Sequence, residues 1–208
     1  MALCGNDGVR ARFRFVSLQE IKKVKTQVVI VHGWAADPDC NWFQWLKTVL
    51  EEDGFACTIP AMPNSLNPIL AEWVEHLHQT VESLPKGGKL ILIGHSLGCV
   101  TITHYLARKE NARADGCVFV AGFSGNIRIL AIKEFYETPV DLKKAGSKIK
   151  KSVSILSLND KAVPAERSRE FARELGAEVV EVNGYGHFMG SEGVTKLPMI
   201  LPEIQKLL

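Results

Sequence analysis

The sequence lacks any apolar run long enough to cross a membrane. A spanning helix needs roughly 20 consecutive apolar residues, and the apolar stretches of this chain are interrupted within about ten. The N-terminus also lacks the apolar segment and small-residue cleavage site of a secretory signal. We therefore expect neither a membrane span nor export.

The chain also lacks an excess of charge of either sign. It carries 25 Lys and Arg against 23 Asp and Glu, a formal net charge of +2, which gives no general reason to expect a nucleic-acid partner. Apolar residues make up 46% and charged residues 23%, as in ordinary folded proteins rather than disordered ones. The length of 208 residues favours one domain over two.

Paired cysteines are missing too. The five cysteines are an odd number without a C-x-x-C pair, which favours a reduced, cytoplasmic protein. Cys57, Cys99 and Cys117 lie inside apolar segments, so we interpret them as small buried hydrophobic residues without a redox or metal role.

Acidic residues are scarce in residues 1–25. This segment sets Arg10, Arg12, Arg14, Lys22, Lys23 and Lys25 against only Asp7 and Glu20. We predict a solvated, basic N-terminal extension, with a transit peptide or a contact to an anionic surface as alternatives. The alternation of charged and apolar residues over 12–16 could also pair at a sheet edge.

From Thr26 onward, short β-branched runs alternate with segments of helical period. This pattern predicts an α/β fold, a three-layer structure with a mostly parallel sheet and helices on both faces. The predicted strands, in the sheet order 2-1-3-4-5-6, are Val28–Val31, Phe55–Ile59, Leu90–Ile93, Cys117–Val120, Val153–Leu158 and Glu178–Val182.

The predicted helices follow from apolar periodicity and from their start and stop residues. The apolar face of the first helix is formed by Trp42, Trp45, Leu46, Val49 and Leu50, and Gly54 ends that helix. The next helix has Asn67 and Pro68 as its N-cap and first residue, with Ile69 on its apolar face. Pro164 opens another helix, and residues 197–208 form a last one that Pro202 interrupts. Turn-forming residues divide the segment 123–150 into at least two pieces, and we predict that this segment forms a minimal cap.

The segment Gly94-His95-Ser96-Leu97-Gly98 has the form G-x-S-x-G and links a predicted strand to a predicted helix. Glycines are needed where a sharp turn brings the strand and the helix close together. Such a turn pushes the serine outward, so we predict that Ser96 is a nucleophile.

A serine nucleophile needs a base, and the base needs an acid that orients it. Asp160 follows the fifth predicted strand and His187 follows the sixth, in the chain order of hydrolases with this turn. We therefore predict Ser96, Asp160 and His187 as the catalytic residues. Asp141 and Glu166 are competing carboxylates, and the Asn159-Asp160 pair is also a common turn former.

The negative charge that develops in acyl transfer needs backbone donors. One is expected at Leu97, directly after the nucleophile and at a helix N-terminus. The other is expected at Trp34, where Gly33 lets the loop after the first strand approach. In the predicted sheet order, these two loops meet at the topological switch point.

These motifs together resemble those of a known superfamily. His32-Gly33-Trp34, Gly94-His95-Ser96-Leu97-Gly98, Asn159-Asp160-x-x-Val163-Pro164 and Gly186-His187-Phe188 are similar to motifs of the α/β-hydrolases. More narrowly, the chain resembles the compact serine hydrolases of the YdeN and retinoblastoma-binding protein nine type, over about residues 26–208. The resemblance implies a hydrolase with the triad Ser96, Asp160 and His187. The motif L-x-C-x-E is absent, so the retinoblastoma partner is not expected.

The function predicted is that of a serine hydrolase acting on an ester or amide of a small soluble molecule, as a carboxylesterase, thioesterase or amidase/peptidase. The alternative is a non-catalytic binding protein that keeps the fold. Neither G-x-G-x-x-G nor G-x-x-x-x-G-K-[ST] follows a strand, so nucleotide cofactors are not expected. We expect no cofactor or metal, and a monomer or weak homodimer.

Other polar and aromatic residues are interpreted more simply. His95 and His104 are expected to pack or hydrogen-bond, and Asp37 and Asp39 to form a solvated turn. His76 and His78 have the wrong spacing for a shared metal on a helix. The aromatic residues near the predicted site in sequence are candidates to line it or to fill the core: Trp34, Trp42, Phe123, Phe135, Tyr136 and Phe188.

Overall fold

A computed structural model describes residues 25–208 of the chain. The basic extension predicted for residues 1–25 lies, apart from Lys25, outside the described residues, and so does the edge pairing predicted for residues 12–16. Within the described part of the chain, no helix is long and apolar enough to cross a membrane.

One six-stranded sheet organises the molecule, and every neighbouring pair of strands is parallel. The strand order β2-β1-β3-β4-β5-β6 and the parallel pairing confirm the predicted α/β fold. The strands are β1 (Gln27–Val31), β2 (Ala56–Thr58), β3 (Leu90–His95), β4 (Ala114–Val120), β5 (Ile149–Ser157) and β6 (Glu178–Val182). Strands β4 and β5 begin earlier than predicted, because the less apolar residues at their starts pair with each other from Ala114 and Ile149 onward.

Helices cover both faces of the sheet, as predicted. They are α1 (Phe43–Glu52), α2 (Leu70–Ser83), α3 (Leu97–Arg108), α4 (Lys133–Glu137), α5 (Leu142–Gly146), α6 (Ala165–Leu175) and α7 (Ile200–Leu207). On one face, Trp73 of α2, Tyr105 of α3 and Phe171 of α6 share a buried cluster. On the other, Phe43 of α1 and Ile204 of α7 share a second one. The sheet is thus buried on both sides, as parallel sheets generally are.

The prediction for the start of α2 was wrong. The helix begins at Leu70, two residues after Pro68, and Ile69 has an extended backbone and is 44% exposed. The Leu70 N–H donates to the Glu134 Oε2 atom at 3.1 Å. The first N–H of α2 is therefore satisfied by a carboxylate from the segment 123–150, and not by Asn67, which the sequence predicted as the N-cap residue.

The last helix also differs from its prediction. It begins at Ile200, so Pro202 lies in its first turn and does not interrupt it. Proline is tolerated in a first turn because the N–H that it lacks would have no partner within the helix.

The cap predicted for residues 123–150 consists of short elements. Helices α4 and α5 have five residues each, and a 3-10 turn at Leu130–Ile132 precedes them. Phe135, Leu142 and Ala145 are buried in the cluster that also contains Trp73. The cap is therefore packed onto the domain by its apolar face.

Candidate active site

Ser96 lies on a strained turn between β3 and α3. Its φ of 52° and ψ of −116° are rare for a residue with a side chain. The turn is tight, since a Cβ atom at Gly94 would come within 2.7 Å of the Cys99 nitrogen. The Ser96 N–H donates to the Val120 carbonyl at 2.9 Å, which ties the turn to β4. These contacts hold Ser96 at the carboxyl edge of the sheet.

The structure brings the three predicted catalytic residues together. The Nε2 atom of His187 lies 2.9 Å from the Oγ atom of Ser96. Its Nδ1 atom lies 2.8 Å from the Oδ2 atom of Asp160. The side chains of His187 and Asp160 are only 9% and 2% exposed. Serine, imidazole and carboxylate thus form one hydrogen-bonded chain that is largely shielded from water.

The other oxygen of Asp160 is occupied by its own loop. Oδ1 accepts from the N–H groups of Ala162 at 2.8 Å and Val163 at 2.9 Å. This arrangement aims Oδ2 at His187. The competing carboxylates have other partners, since Asp141 caps α5 through the Lys144 N–H and Glu166 pairs with Arg169.

Asn159 joins the two loops that carry Asp160 and His187. Its Oδ1 atom accepts from the N–H groups of Gly184 at 2.8 Å and Gly186 at 3.2 Å. Sequence reasoning interpreted Asn159 only as a turn residue and missed this role. No local pattern indicates it, because the contact joins residues 25 positions apart.

Of the two expected oxyanion donors, Leu97 is the first residue of α3, and Trp34 lies on the loop after β1. A Cβ atom at Gly33 would lie 3.2 Å from that of Ser96, so the loop after β1 touches the turn. The Trp34 indole donates to the Leu66 carbonyl at 2.9 Å, which anchors this loop. Within residues 25–208, neither the Trp34 N–H nor the Leu97 N–H donates to another protein atom.

A cavity of about 430 Å³ opens onto Ser96 and His187. Among the described residues, no Asp, Glu, Lys or Arg lines it, and the lining residues are Gly33, Trp34, Ala35, Ala36, Cys40, Asn41, His95, Ser96, His187, Met189, Gly190 and Ser191. Of the aromatic candidates, Trp34 alone lines this cavity. The core interpretation holds for the others: Trp42, Phe123, Phe135 and Phe188 are at most 1% exposed, and Tyr136 packs against the core.

The described cysteines are poor nucleophiles. Burial raises the pKa of Cys40, which lines the cavity, so its thiol stays protonated at neutral pH. Cys57, Cys99 and Cys117 are buried as predicted, and burial raises the pKa of each thiol. Ser96 is therefore the better candidate for nucleophilic attack.

Asp37 and His104 make the contacts expected from the sequence. Asp37 accepts from the Asp39 N–H at 2.8 Å in an exposed turn. His104 is buried, with Nε2 lying 3.2 Å from the Phe135 carbonyl oxygen. Within residues 25–208, no group of three or more His, Cys, Asp or Glu side chains is arranged to hold a metal.

Comparisons with known proteins show which family and fold the chain shares. A family model described as "Serine hydrolase" matches residues 28–206. YdeN from Bacillus subtilis is 34% identical over 176 residues, covering 84% of this chain and 92% of YdeN. Its crystal structure superposes with a TM-score of 0.82 at 32% identity, covering 88% of this chain and 98% of that one.

Two more distant structures share the fold. Polyneuridine aldehyde esterase matches with a TM-score of 0.61 at 17% identity, covering 86% of this chain and 97% of its own. Est1E from Butyrivibrio proteoclasticus, solved with ferulic acid bound, matches with a TM-score of 0.68 at 14% identity, covering 90% of this chain and 92% of its own. At these identities the similarity extends to the fold alone.

Proposed function

Because the chain belongs to the serine hydrolase family and has the α/β-hydrolase fold, we propose that it cleaves an ester or amide bond by nucleophilic catalysis at Ser96. The observation that carries this proposal is the pair of contacts at His187, 2.9 Å to Ser96 Oγ and 2.8 Å to Asp160 Oδ2. A base within hydrogen-bond distance of both a nucleophile and an orienting acid is the arrangement that this chemistry requires.

The proposed reaction has two halves. In the first, Ser96 Oγ attacks the carbonyl carbon while His187 Nε2 takes its proton, and Asp160 stabilises the imidazolium. The N–H groups of Leu97 and Trp34 bind the oxyanion. When the intermediate collapses, the leaving alcohol, thiol or amine takes the proton from His187. A water molecule then gives a proton to His187 and attacks the acyl-enzyme, which releases the acid and restores Ser96.

The cavity favours a small, uncharged acyl group. A charged group there would lose its hydration without gaining a side chain of opposite charge. We therefore place carboxylesterase activity first, with thioesters and amides as further substrates of the same chemistry. Polyneuridine aldehyde esterase, which shares this fold, is named as an esterase, in line with this choice.

The small cap bears on how substrate reaches the site. Because α4 and α5 are short and packed on the core, we propose activity on dissolved monomeric esters without interfacial activation. The rate on tributyrin should rise smoothly through its solubility limit, and a jump when droplets form would contradict this.

Unpaired thiols at Cys40, Cys57, Cys99 and Cys117 support a reducing compartment, and we propose the cytoplasm.

The deciding experiment is labelling with a fluorophosphonate, which reacts with activated serines. We expect the wild-type protein to label at Ser96, as located by mass spectrometry of the modified peptide. Ser96→Ala should abolish labelling and lower kcat on p-nitrophenyl acetate by about 10⁶-fold. Ser83→Ala, at the exposed end of α2, is the matched control and should label like the wild type.

The same experiment separates the catalytic proposal from its rival. A folded wild-type protein that fails to label would be a non-catalytic binding protein with this fold. Equal labelling of the wild type and Ser96→Ala would place the reactive serine elsewhere.

A further inference from the structure

The peptide groups on either side of the His187 Cα atom are held by two side chains outside the triad. The His187 N–H donates to the Glu192 Oε2 atom at 2.7 Å. The His187 carbonyl oxygen lies 2.9 Å from the Nε2 atom of His95. The backbone of the catalytic base is thus gripped at its nitrogen and at its carbonyl oxygen.

His95 is suited to this contact by its burial. It is 3% exposed, it packs against Trp42 and Phe43, and its ring centroid lies 5.2 Å from that of His187. Burial lowers the pKa of His95 to about 3, so the ring is neutral and has one N–H. A carbonyl oxygen can only accept, so that proton is on Nε2 and His95 is the donor.

Glu192 makes the contact at the nitrogen of the His187 backbone. It ends the 3-10 turn Gly190–Glu192, and its Oε2 atom also accepts from the Met189 N–H at 3.3 Å. One carboxylate oxygen therefore accepts from two backbone groups of the segment that carries His187. A hydrogen bond to a charged acceptor is stronger than one between neutral groups.

Loop flexibility explains why the base needs such contacts. Gly184 and Gly186 precede His187 with φ values of 89° and 52°, and glycine makes such a segment easy to deform. The His187 imidazole must nevertheless reach Ser96 and Asp160 at once. A displacement of 1 Å in a catalytic group can cost about 10²-fold in rate.

We propose that Glu192 and His95 are positioning residues that hold the backbone of His187, so that its imidazole bridges Ser96 and Asp160. This inference rests on the proposed function of the triad. Neither residue exchanges a proton with substrate. Glu192 acts through the backbone N–H of the base, and His95 acts through its carbonyl oxygen.

The first test replaces Glu192, whose side chain is exposed. Glu192→Ala should lower kcat on p-nitrophenyl acetate and the fluorophosphonate labelling rate by about tenfold or more, because the loop can shift. KM should change by less than about twofold, since the contact does not touch substrate. Glu192→Gln keeps a neutral acceptor and should restore most of the rate. Glu52→Ala, on the exposed side of α1, is the matched control.

Glu192→Ala rates within about twofold of the Glu52→Ala control would overturn the role of Glu192. If Glu192 had only a structural role, Glu192→Ala would lower the melting temperature and the fraction of protein that labels, and the rate constant of the labelled fraction would be unchanged.

The second test uses His95. His95→Gln places an amide N–H near the position of Nε2 and should retain most of the labelling rate. His95→Phe removes the donor and should slow labelling by about tenfold. Because both residues hold one base, the losses in a Glu192→Ala/His95→Phe double variant should not multiply. Equal rates for His95→Phe and His95→Gln would rule out the donor role of His95.

A spectroscopic readout keeps this inference separable from catalysis. The Nδ1 proton of His187, hydrogen-bonded to Asp160, should give a downfield proton resonance that is sharp in the wild type. It should broaden in Glu192→Ala and stay sharp in Glu52→Ala. An unchanged resonance would contradict the positioning role even in an active enzyme. A wild type that shows the resonance but never labels would contradict the proposed function instead.

Discussion

Gly98, in the first turn of α3, lies directly against the end of strand β1 at Val31. A Cβ atom at position 98 would lie 2.0 Å from the Val31 carbonyl oxygen, a distance at which two atoms overlap. The helix that follows Ser96 can therefore approach the strand that leads to Trp34 only because residue 98 has no side chain. The same approach brings the two expected oxyanion donors together.

Gly98→Ala should accordingly destabilise the protein. The added methyl group meets backbone that has no room to move, and overpacking of this kind costs about 1–3 kcal/mol or more. Urea unfolding followed by circular dichroism measures the loss. A variant as stable as the wild type would show that α3 and β1 are not in such close contact.

Asp160→Asn should remove most of the activity without unfolding the protein. The Asn oxygen can still accept from the Ala162 and Val163 N–H groups, but its NH2 group would face His187 Nδ1. The imidazole would then carry its proton on Nε2, where it cannot take one from Ser96. In triad hydrolases this change costs about 10⁴-fold in kcat. Kinetics on p-nitrophenyl acetate provide the measurement.

The matched control for Asp160→Asn is Asp141→Asn. Asp141 accepts from Lys144 N–H at the start of α5, and asparagine caps a helix about as well as aspartate. Its kcat should equal that of the wild type. Similar losses in both variants would mean that Asp160 is not the acid of the triad.

Glu134→Ala should weaken the contact between the cap and α2. Its carboxylate accepts from the Leu70 N–H, the first of α2, and loss of such a cap costs about 1 kcal/mol. Glu137→Ala on the same short helix is the control, with little expected effect. Equal unfolding free energies in urea for the two variants would contradict the capping role.

Buried histidines should make the protein less stable as the pH falls below about 6.5. Burial lowers the pKa of His95 to about 3 and that of His104 to about 4, and it also lowers the pKa of His32. At a pH between these lowered pKa values and 6.5, the histidines bind protons in the unfolded chain but stay neutral in the folded chain. Each such group can therefore reduce the free energy of unfolding by up to about 1.4 kcal/mol per pH unit.

His104→Gln isolates one of these contributions. The amide can still donate to the Phe135 carbonyl, which His104 Nε2 contacts at 3.2 Å, but it does not titrate. Between pH 6 and 4.5, the unfolding free energy of the variant should fall less steeply than that of the wild type, by about 1 kcal/mol per pH unit. Parallel pH profiles would show that His104 is not kept neutral by the fold.

We further propose that residues 1–25 are an extension that the hydrolase domain does not need. A chain beginning at Thr26 should unfold at the same temperature and hydrolyse p-nitrophenyl acetate at the same rate as the full chain, because residues 26–208 contain the whole described sheet and the three candidate catalytic residues. Thermal unfolding and kinetics of both chains test this. Loss of stability on truncation would give the segment a structural role.

The parallel sheet and the three candidate catalytic residues could be predicted from local patterns. Short β-branched runs between periodic helices predict parallel strands, and G-x-S-x-G between a strand and a helix indicates a sharp turn at Ser96. Asp160 and His187 each follow a strand, and the carboxyl ends of parallel strands lie at one edge. Local patterns were sufficient here because the direction of a parallel strand determines at which edge of the sheet the loop after it begins.

Contacts between distant loops were decided only by the tertiary structure. The cap of α2 is Glu134, 64 residues away along the chain, so the local signal at Asn67 gave the wrong start. Asn159 and His95 make their contacts to the His187 loop across 25 and 92 residues. A buried backbone group takes whichever partner folding brings near, and sequence spacing does not record that partner. The sequence alone thus predicts which residues are candidates for the reaction, and the packed loops decide how His187 is held.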